Sequence, residues 1–344
     1  MGNYVSLGIS EVADRLACAK NAIIFCHVSP DGDTVGSAFA LKAIIEAAGG
    51  KAVCRCVQEP QDKLRCLYLG QDKMKYTAGD EDGCDLVMAV DVASPQQLGA
   101  LENLASKTNL MLDHHYAGEA FADNCIDPMS SSSAELVYLV YRELVSRGIT
   151  GELPDAARRM YAAMVSDTGS FRFPNTTSRT LRIAADLVDI VSADADGLSA
   201  GDFASAMFGA KTRKEVTAQM LALESLEYIG DDVSLVTLAA DDLEKYDLSD
   251  EDAGNVVDVG RNIEGIKVAL ALKQSTSDRR TFRLSTRANC DTDLAKICFD
   301  RFGGGGHKRA AGATVYASSV DEAKQAVTDA FAEKYKEYLK QTAK

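Results

Sequence analysis

Between His27 and Ser37 the chain reads HVSPDGDTVGS, with an imidazole at His27 and carboxylates at Asp31 and Asp33. Such a stretch is either an ordinary Asp/Gly turn or half of a metal site, and the rest of the chain has to decide. Histidine is scarce: there are only four, His27, His114, His115 and His307, and each lies in an Asp- or Gly-rich stretch. His114 and His115 follow Asp113 in LMLDHHYAGEA, Asp91 closes DLVMAVD, and Asp167 stands in VSDTGSF. The Asp167 loop reads either as a plain helix C-terminus or as a further ligand, and its likeness to the other clusters favours the ligand. His27, Asp31, Asp33, Asp91, His114 and Asp167 together supply four carboxylates and two imidazoles. Carboxylates crowded in this way repel and raise one another's pKa, and two divalent cations would neutralise them. Oxygen and nitrogen donors without thiolate suit Mn²⁺, with Mg²⁺ or Co²⁺ as substitutes. Two such ions about 3.5–4 Å apart generate a hydroxide and clamp both ends of a phosphoryl displacement.

The elements that must position these groups are legible as short apolar runs. NAIIFC, DLVMAV and TNLMLD have strand character, and TVGSAFALKAIIEAAGG has helical periodicity with a glycine stop. LPDAARRMYAAMVSD reads as a helix running into Asp167. Strands alternating with helices indicate a parallel sheet with helical crossovers, in which functional groups gather beyond the carboxyl ends of the strands. The clusters at His27, Asp91 and Asp113 all fall at that end of their strand.

Composition narrows the function. A hydrophobic content of 46% with 26% charged residues describes a globular chain rather than a disordered one. No run approaches the ~20 apolar residues of a membrane helix, and the first residues lack a signal-peptide pattern, so a cytoplasmic protein without membrane association is expected. Nine cysteines without a C-x-x-C pair indicate neither a disulfide framework nor a thiolate zinc site. The net charge of −14 argues against a protein that coats long duplex nucleic acid. Residues 261–310 nevertheless hold eleven Lys/Arg against five Asp/Glu, leaving −20 for the remainder. A confined basic patch suits a small anionic ligand or the end of a strand.

With these residues in view, the chain resembles the DHH phosphoesterase family. The resemblance rests on Asp113-His114-His115, the H-x-x-x-D-x-D of His27, Asp31 and Asp33, Asp91, SDTGSF around Asp167, and FGGGGHKRAAGA, which is similar to the signature of a DHH-associated domain. It implies an α/β chain of two lobes. An N-terminal Rossmann-like parallel-sheet DHH domain over 1–190 is joined by a helical connector, 191–225, to a smaller mixed-sheet α/β domain over 226–344. It implies that His27, Asp31 and Asp91 hold one metal, and that Asp33, Asp91, His114 and Asp167 hold the other. His115 would contact the scissile phosphate, and Asp113 would orient a neighbouring histidine. The implied activity is hydrolysis of RNA a few nucleotides long and dephosphorylation of 3′-phosphoadenosine 5′-phosphate (pAp). The alternatives are a phosphodiesterase for pApA or cyclic di-AMP, a RecJ-like single-strand exonuclease, or a nucleotide sensor without catalysis. Partners are then short single-stranded RNA or nucleotides, and a homodimer is compatible with the family.

In the C-terminal half, DDVSLVTLAA, IKVALALKQ and RTFRLSTR read as strands, and Val320 to Lys340 as a helix. Alternation in TFRLSTR puts Phe282 and Leu284 on one face and Arg283, Ser285 and Arg287 on the other. That polar face is either a solvated outer surface or, as the family implies, a phosphate-binding surface. The run Gly304, Gly305, Gly306, His307 lets backbone N–H groups approach an anion, helped by a helix N-terminus after it; the plainer reading is a turn before a helix. Arg261 is a further candidate for the same surface. Ser132-x-x-Glu135 reads as a capping box and NTTSRT as another N-cap, while Phe171 and Phe173 either stack a base or pack in the core.

Overall fold

The apolar runs of the first half become neighbouring strands of one parallel sheet: β1 (Asn21–Phe25), β2 (Lys51–Arg55), β3 (Leu86–Val90), β4 (Leu110–Asp113) and β5 (Asn124–Ile126). Their order is β2-β1-β3-β4-β5, and every pairing is parallel. This computed structural model describes residues 4–342 except 61, 69–73, 117, 195–198, 203–204, 206–210 and 251, and except the side chains of 62–63, 307 and 333–342. The chain divides into two compact units, Met1–Ala210 and Lys211–Lys344.

In the first unit the strand pleat sends Ala22 and Ile24 to one face and Ile23 and Phe25 to the other, so both faces need cover. Five helices supply the first cover: α1 (Ile9–Cys18), α2 (Gly32–Ala47), α3 (Ser133–Ser146), α4 (Pro154–Asp167) and α5 (Ser178–Ser192). Leu98, Leu101 and Leu104 of the helical segment Pro95–Lys107 cover the second. Helix α2 is buried on almost every side, which fits its nearly continuous small and apolar sequence. It lies tightly on α4 because Gly36 has no side chain. A Cβ there would stand 2.7 Å from the Arg159 carbonyl oxygen and 2.8 Å from the Ala163 Cβ.

The second unit is built on a mixed sheet of β6 (Glu227–Ile229), β7 (Val233–Leu238), β8 (Val268–Gln274), β9 (Thr281–Ala288), β10 (Gly305–His307) and β11 (Ala310–Tyr316), in the order β10-β11-β9-β8-β7-β6. Only the β7–β8 pairing is parallel. Its helices are α6 (Arg213–Glu224), α7 (Ala240–Lys245), α8 (Val257–Arg261), α9 (Leu294–Phe302) and α10 (Val320–Thr342). Leu270, Leu272, Phe282 and Leu284 pack under α9 and α10 on one face. On the other, Val236, Leu238, Ala269 and Ala271 pack under α6, α7 and α8. This second cover lies over β7 and β8.

Two expectations change. Of the stretch 191–225 expected as a connector, α6 buries Ala218, Leu221 and Ala222 in the core of the second unit, and much of the rest lies outside the described residues. The glycine run is not followed by a helix. Gly303 caps α9 in the left-handed region (φ 64°), and the chain then enters β10 and turns back as β11. Gly304 passes so close to β11 that a Cβ would meet the Gly312 carbonyl oxygen at 2.2 Å. The glycines serve this close approach.

No helix among the described residues is long and apolar enough to cross a membrane. Because α2 carries Asp33 in its first turn and α4 ends at Asp167, the contact at Gly36 also sets the separation of those two carboxylates. Gly36→Val should therefore overpack the α2–α4 contact and cost about 1–3 kcal/mol of stability, read by urea unfolding of the metal-free protein.

Candidate metal centre

Strands β1 and β3 are neighbours where the strand order reverses, the position at which open α/β sheets place their ligands. His27 follows β1. Asp31 caps α2, its carboxylate accepting from the N–H groups of Asp33 (3.0 Å) and Thr34 (3.1 Å). Asp91 follows β3 with φ 59°, a left-handed conformation uncommon outside glycine. Asp113, His114 and His115 leave the end of β4, and Asp167 is the last residue of α4.

These residues converge. His27 Nε2 lies 3.7 Å from both Asp31 Oδ1 and Asp91 Oδ2. His114 Nε2 lies 3.3 Å from Asp167 Oδ2, 3.6 Å from Asp91 Oδ1 and 3.8 Å from Asp33 Oδ2. The donor atoms form three groups, each within 4.8 Å: His27, Asp31 and Asp91; Asp33, His114 and Asp167; and Asp91, His114 and His115. Asp91 thus turns one oxygen toward His27 and the other toward His114.

Hydrogen bonds aim the donors. The His114 Nδ1 lies 3.3 Å from the Ser130 carbonyl oxygen, and donation to it leaves the Nε2 lone pair facing the carboxylates. Asp33 accepts from the N–H groups of Ser133 (2.7 Å) and Ala134 (3.1 Å) at the start of α3, and from Ser37 Oγ (3.1 Å). Ser133 Oγ donates to Asp91 Oδ1 at 3.0 Å. His115 Nδ1 bonds Asp113 Oδ1 at 2.7 Å, and the same oxygen accepts from the His114 N–H at 2.9 Å. The role of Ser133 is not visible in SSSSAE, where the capping pattern draws the eye. That capping box does not form: Glu135 Oε2 accepts from Ser131 N (2.8 Å) and Oγ (2.7 Å), and the Ser132 hydroxyl makes no cap bond. Phe171 packs on Tyr161 at 6.0 Å, and the Phe173 ring lies over Gly169.

The electrostatics of the site favour added positive charge. Burial, then the charges of Asp33, Asp31, Asp167 and Asp113, push the Asp91 carboxyl well above the ordinary range. Burial followed by the charges of Asp33 and Asp31 takes Asp167 up to about 9. Burial also raises Asp33, against the opposing charge of His114. At Asp31 burial acts upward too, but His27 and the α2 N–H groups outweigh it and the carboxyl is lowered. The Asp113 hydrogen bond raises His115. Carboxylates held this way beside imidazoles fit hard divalent cations, which would neutralise them.

A family model described as "DHH family, N-terminal domain" matches residues 21–164, and one described as "DHHA1 domain" matches 232–333. The chain carries a DHH domain followed by a DHHA1 domain. It is a hydrolase. It is 26% identical, over 93% of its length and 96% of the relative's, to the bifunctional oligoribonuclease and PAP phosphatase NrnA of Bacillus subtilis. Its fold is similar to that of an exopolyphosphatase-related protein from Bacteroides fragilis, with a TM-score of 0.85 at 20% identity over 99% of this chain and 100% of the other. A structure of the exonuclease RecJ bound to manganese matches with a TM-score of 0.51 at 14% identity, covering 97% and 96%.

In the DHHA1 unit, β9 buries Phe282, Leu284, Thr286 and Ala288 and turns Arg283, Ser285 and Arg287 to the other face. All three line a cavity of about 1110 Å³, together with Gly304, Gly305 and Gly312. Register explains its floor: Ser285 lies opposite Gly312 on β11 and Ala271 on β8, so small residues meet across three strands. Burial holds Arg287 below the usual guanidinium value, with Asp258 opposing and Arg261 adding to the shift. Arg261 itself ends α8, 3.6 Å from Asp258, and is not among the lining residues; nor is Gly306. The His307 side chain lies outside the described residues.

The Asp167 shift gives a stability test. Its folded pKa of about 9 exceeds the ordinary 3.8, so the folded metal-free chain keeps a proton that the unfolded chain releases. Metal-free stability should thus fall as pH rises through that window. Asp167→Asn should raise the metal-free Tm at about pH 8, change it little near pH 4, and shrink the Tm gain on adding Mn²⁺. Differential scanning fluorimetry across pH reads all three.

Proposed function

We propose that the chain is a two-metal phosphoesterase that hydrolyses RNA a few nucleotides long to mononucleotides and dephosphorylates pAp to AMP. The observation that carries this reading is the placement of Asp91, whose Oδ2 faces His27 at 3.7 Å and whose Oδ1 faces His114 at 3.6 Å. One carboxylate shared between two ligand groups is what a bridged metal pair requires. The choice of substrate rests on the name of the Bacillus subtilis relative, which aligns over nearly its whole length. Short RNA as substrate puts the work of this protein in the cytoplasm.

In this reading His27, Asp31 and Asp91 hold one ion, and Asp33, Asp91, His114 and Asp167 hold the other, with Mn²⁺ preferred. When bound, the pair supplies a nucleophilic hydroxide at neutral pH and charge neutralisation at the phosphate. The protein's own part is orientation and proton handling. His115, its Nδ1 fixed by Asp113 and its pKa raised by that bond, contacts a phosphate oxygen and favours departure of the leaving group. Arg283, Ser285 and Arg287, with backbone N–H groups of the glycine run and with Arg261 and His307, bind nucleotide phosphates in the DHHA1 unit.

The test is a substrate panel: pAp, pApA, cyclic di-AMP and RNAs of two to twenty-four nucleotides, each incubated with purified protein and Mn²⁺. Turnover should be greatest on the shortest RNAs and pAp, and Asp91→Ala should keep less than about a tenth of the rate while remaining folded. A 24-mer digested as efficiently as a dinucleotide would move the assignment to single-strand exonuclease, and no turnover of any compound would favour a sensor.

Substrate capture has its own test. Arg287→Ala should raise KM by about tenfold or more, the worth of one charge-assisted phosphate contact. Calorimetric Mn²⁺ binding should be unchanged.

A further inference from the structure

The ligands of the candidate metal centre do not hold themselves in place. His114, Asp33 and Asp91 are each aimed by the segment 127–135: the Ser130 carbonyl lies against His114 Nδ1, the Ser133 and Ala134 N–H groups donate to Asp33, and Ser133 Oγ donates to Asp91. What holds that segment is the entry to α5. Arg179 Nε donates to Glu135 Oε1 at 2.5 Å, and its Nη2 donates to Asp127 Oδ2 and Ser130 Oγ, both at 2.9 Å. Asn175 Nδ2 donates to the Ser131 carbonyl at 2.9 Å and to the Asp167 carbonyl at 3.1 Å, so it ties the same segment to the end of α4.

We propose that Arg179 and Asn175 are positioning residues that clamp the segment 127–135 and thereby shape one metal site of the pair, the one formed by Asp33, Asp91, His114 and Asp167. The inference rests on the two-metal reading above. The chemistry favours a guanidinium at 179. The Glu135 side chain is 0% exposed, and a carboxylate so buried needs a cationic partner with several donors. Arg179 meets that need and, with its Nη2, spans Asp127 and Ser130. The other group is built differently: His27 follows directly from β1, and Asp31 is fixed by the N–H groups of α2. None of the bonds of Arg179 or Asn175 given above reaches those two residues.

A residue that only stabilised the fold would weaken both sites together. The clamp should weaken one more than the other. The full-length protein, stripped of metal, is titrated with Mn²⁺ by calorimetry and by electron paramagnetic resonance. Wild type should bind two ions. Arg179→Ala should weaken one site by about 10–100-fold, as loss of a supporting hydrogen-bond network around metal ligands does. The other site, which shares Asp91 alone with the first, should weaken less. Arg179→Lys should fall between, since an ammonium keeps the charge beside Glu135 but lacks the fork that spans Asp127 and Ser130. Asn175→Ala removes no charge, and should show the same unequal loss even if Arg179→Ala fails to fold. Equal weakening of both sites, or wild-type binding in Arg179→Lys and Asn175→Ala, overturns the clamp while leaving the two-metal reading intact. A wild-type chain that binds no Mn²⁺ overturns both.

Discussion

Asp31, Asp33, Asp91 and Asp167 bring four carboxylates to one end of a parallel sheet, and at Asp33, Asp91 and Asp167 burial and mutual repulsion oppose the charge. Much of the first unit can be understood as the means of enforcing that convergence. Strand order puts the end of β1 beside the end of β3. The glycine contact between α2 and α4 brings Asp33 toward Asp167. The N-termini of α2 and α3 then direct N–H groups at Asp31 and Asp33, a partial compensation from peptide dipoles. What remains is a demand for positive charge at Asp91 and Asp167, and the Asp91 backbone is also in a conformation that costs energy for a non-glycine residue.

The second unit solves the reverse problem, that of holding cations at a cavity while leaving them partly open to solvent. Its sheet is fully covered on one face by α9 and α10, but on the other face the apolar cover lies over β7 and β8. The cavity at β9 and β11 is floored by Ser285 and Gly312 and flanked by Arg283 and Arg287. Small side chains let backbone groups come within reach of a ligand, and the arginines keep partial access to solvent. Two ordinary α/β layers thus acquire opposite electrostatic characters within one acidic chain.

Local pattern carried far where one residue type has one strong preference. The runs NAIIFC, DLVMAV and TNLMLD are strands β1, β3 and β4, and His27, Asp91 and Asp113 stand where those apolar runs end. The alternation in TFRLSTR is the observed alternation of β9. Pattern misled where a distant partner outbid a local one. Glu135 is placed to close a capping box on Ser132, yet it lies buried, with one oxygen on the N–H and Oγ of Ser131 and the other on Arg179, because a carboxylate removed from water needs a cation as well as hydrogen-bond donors. The glycine run was open to a helix start or a turn, and only pairing with β11 made it a strand.

The sequence by itself therefore determined the α/β class, the strand ends at which the polar clusters stand, and the donor types collected there, since these depend on hydrophobic period and side-chain chemistry. Tertiary structure decided the distances between donors forty to a hundred residues apart, the hydroxyl of Ser133 on Asp91, and the hold of Arg179 and Asn175 on the segment between them. The reason is physical. Periodicity and propensity act within a few residues, whereas the direction of a carboxylate is set by whichever helix end, carbonyl or guanidinium the packing of whole elements brings to it.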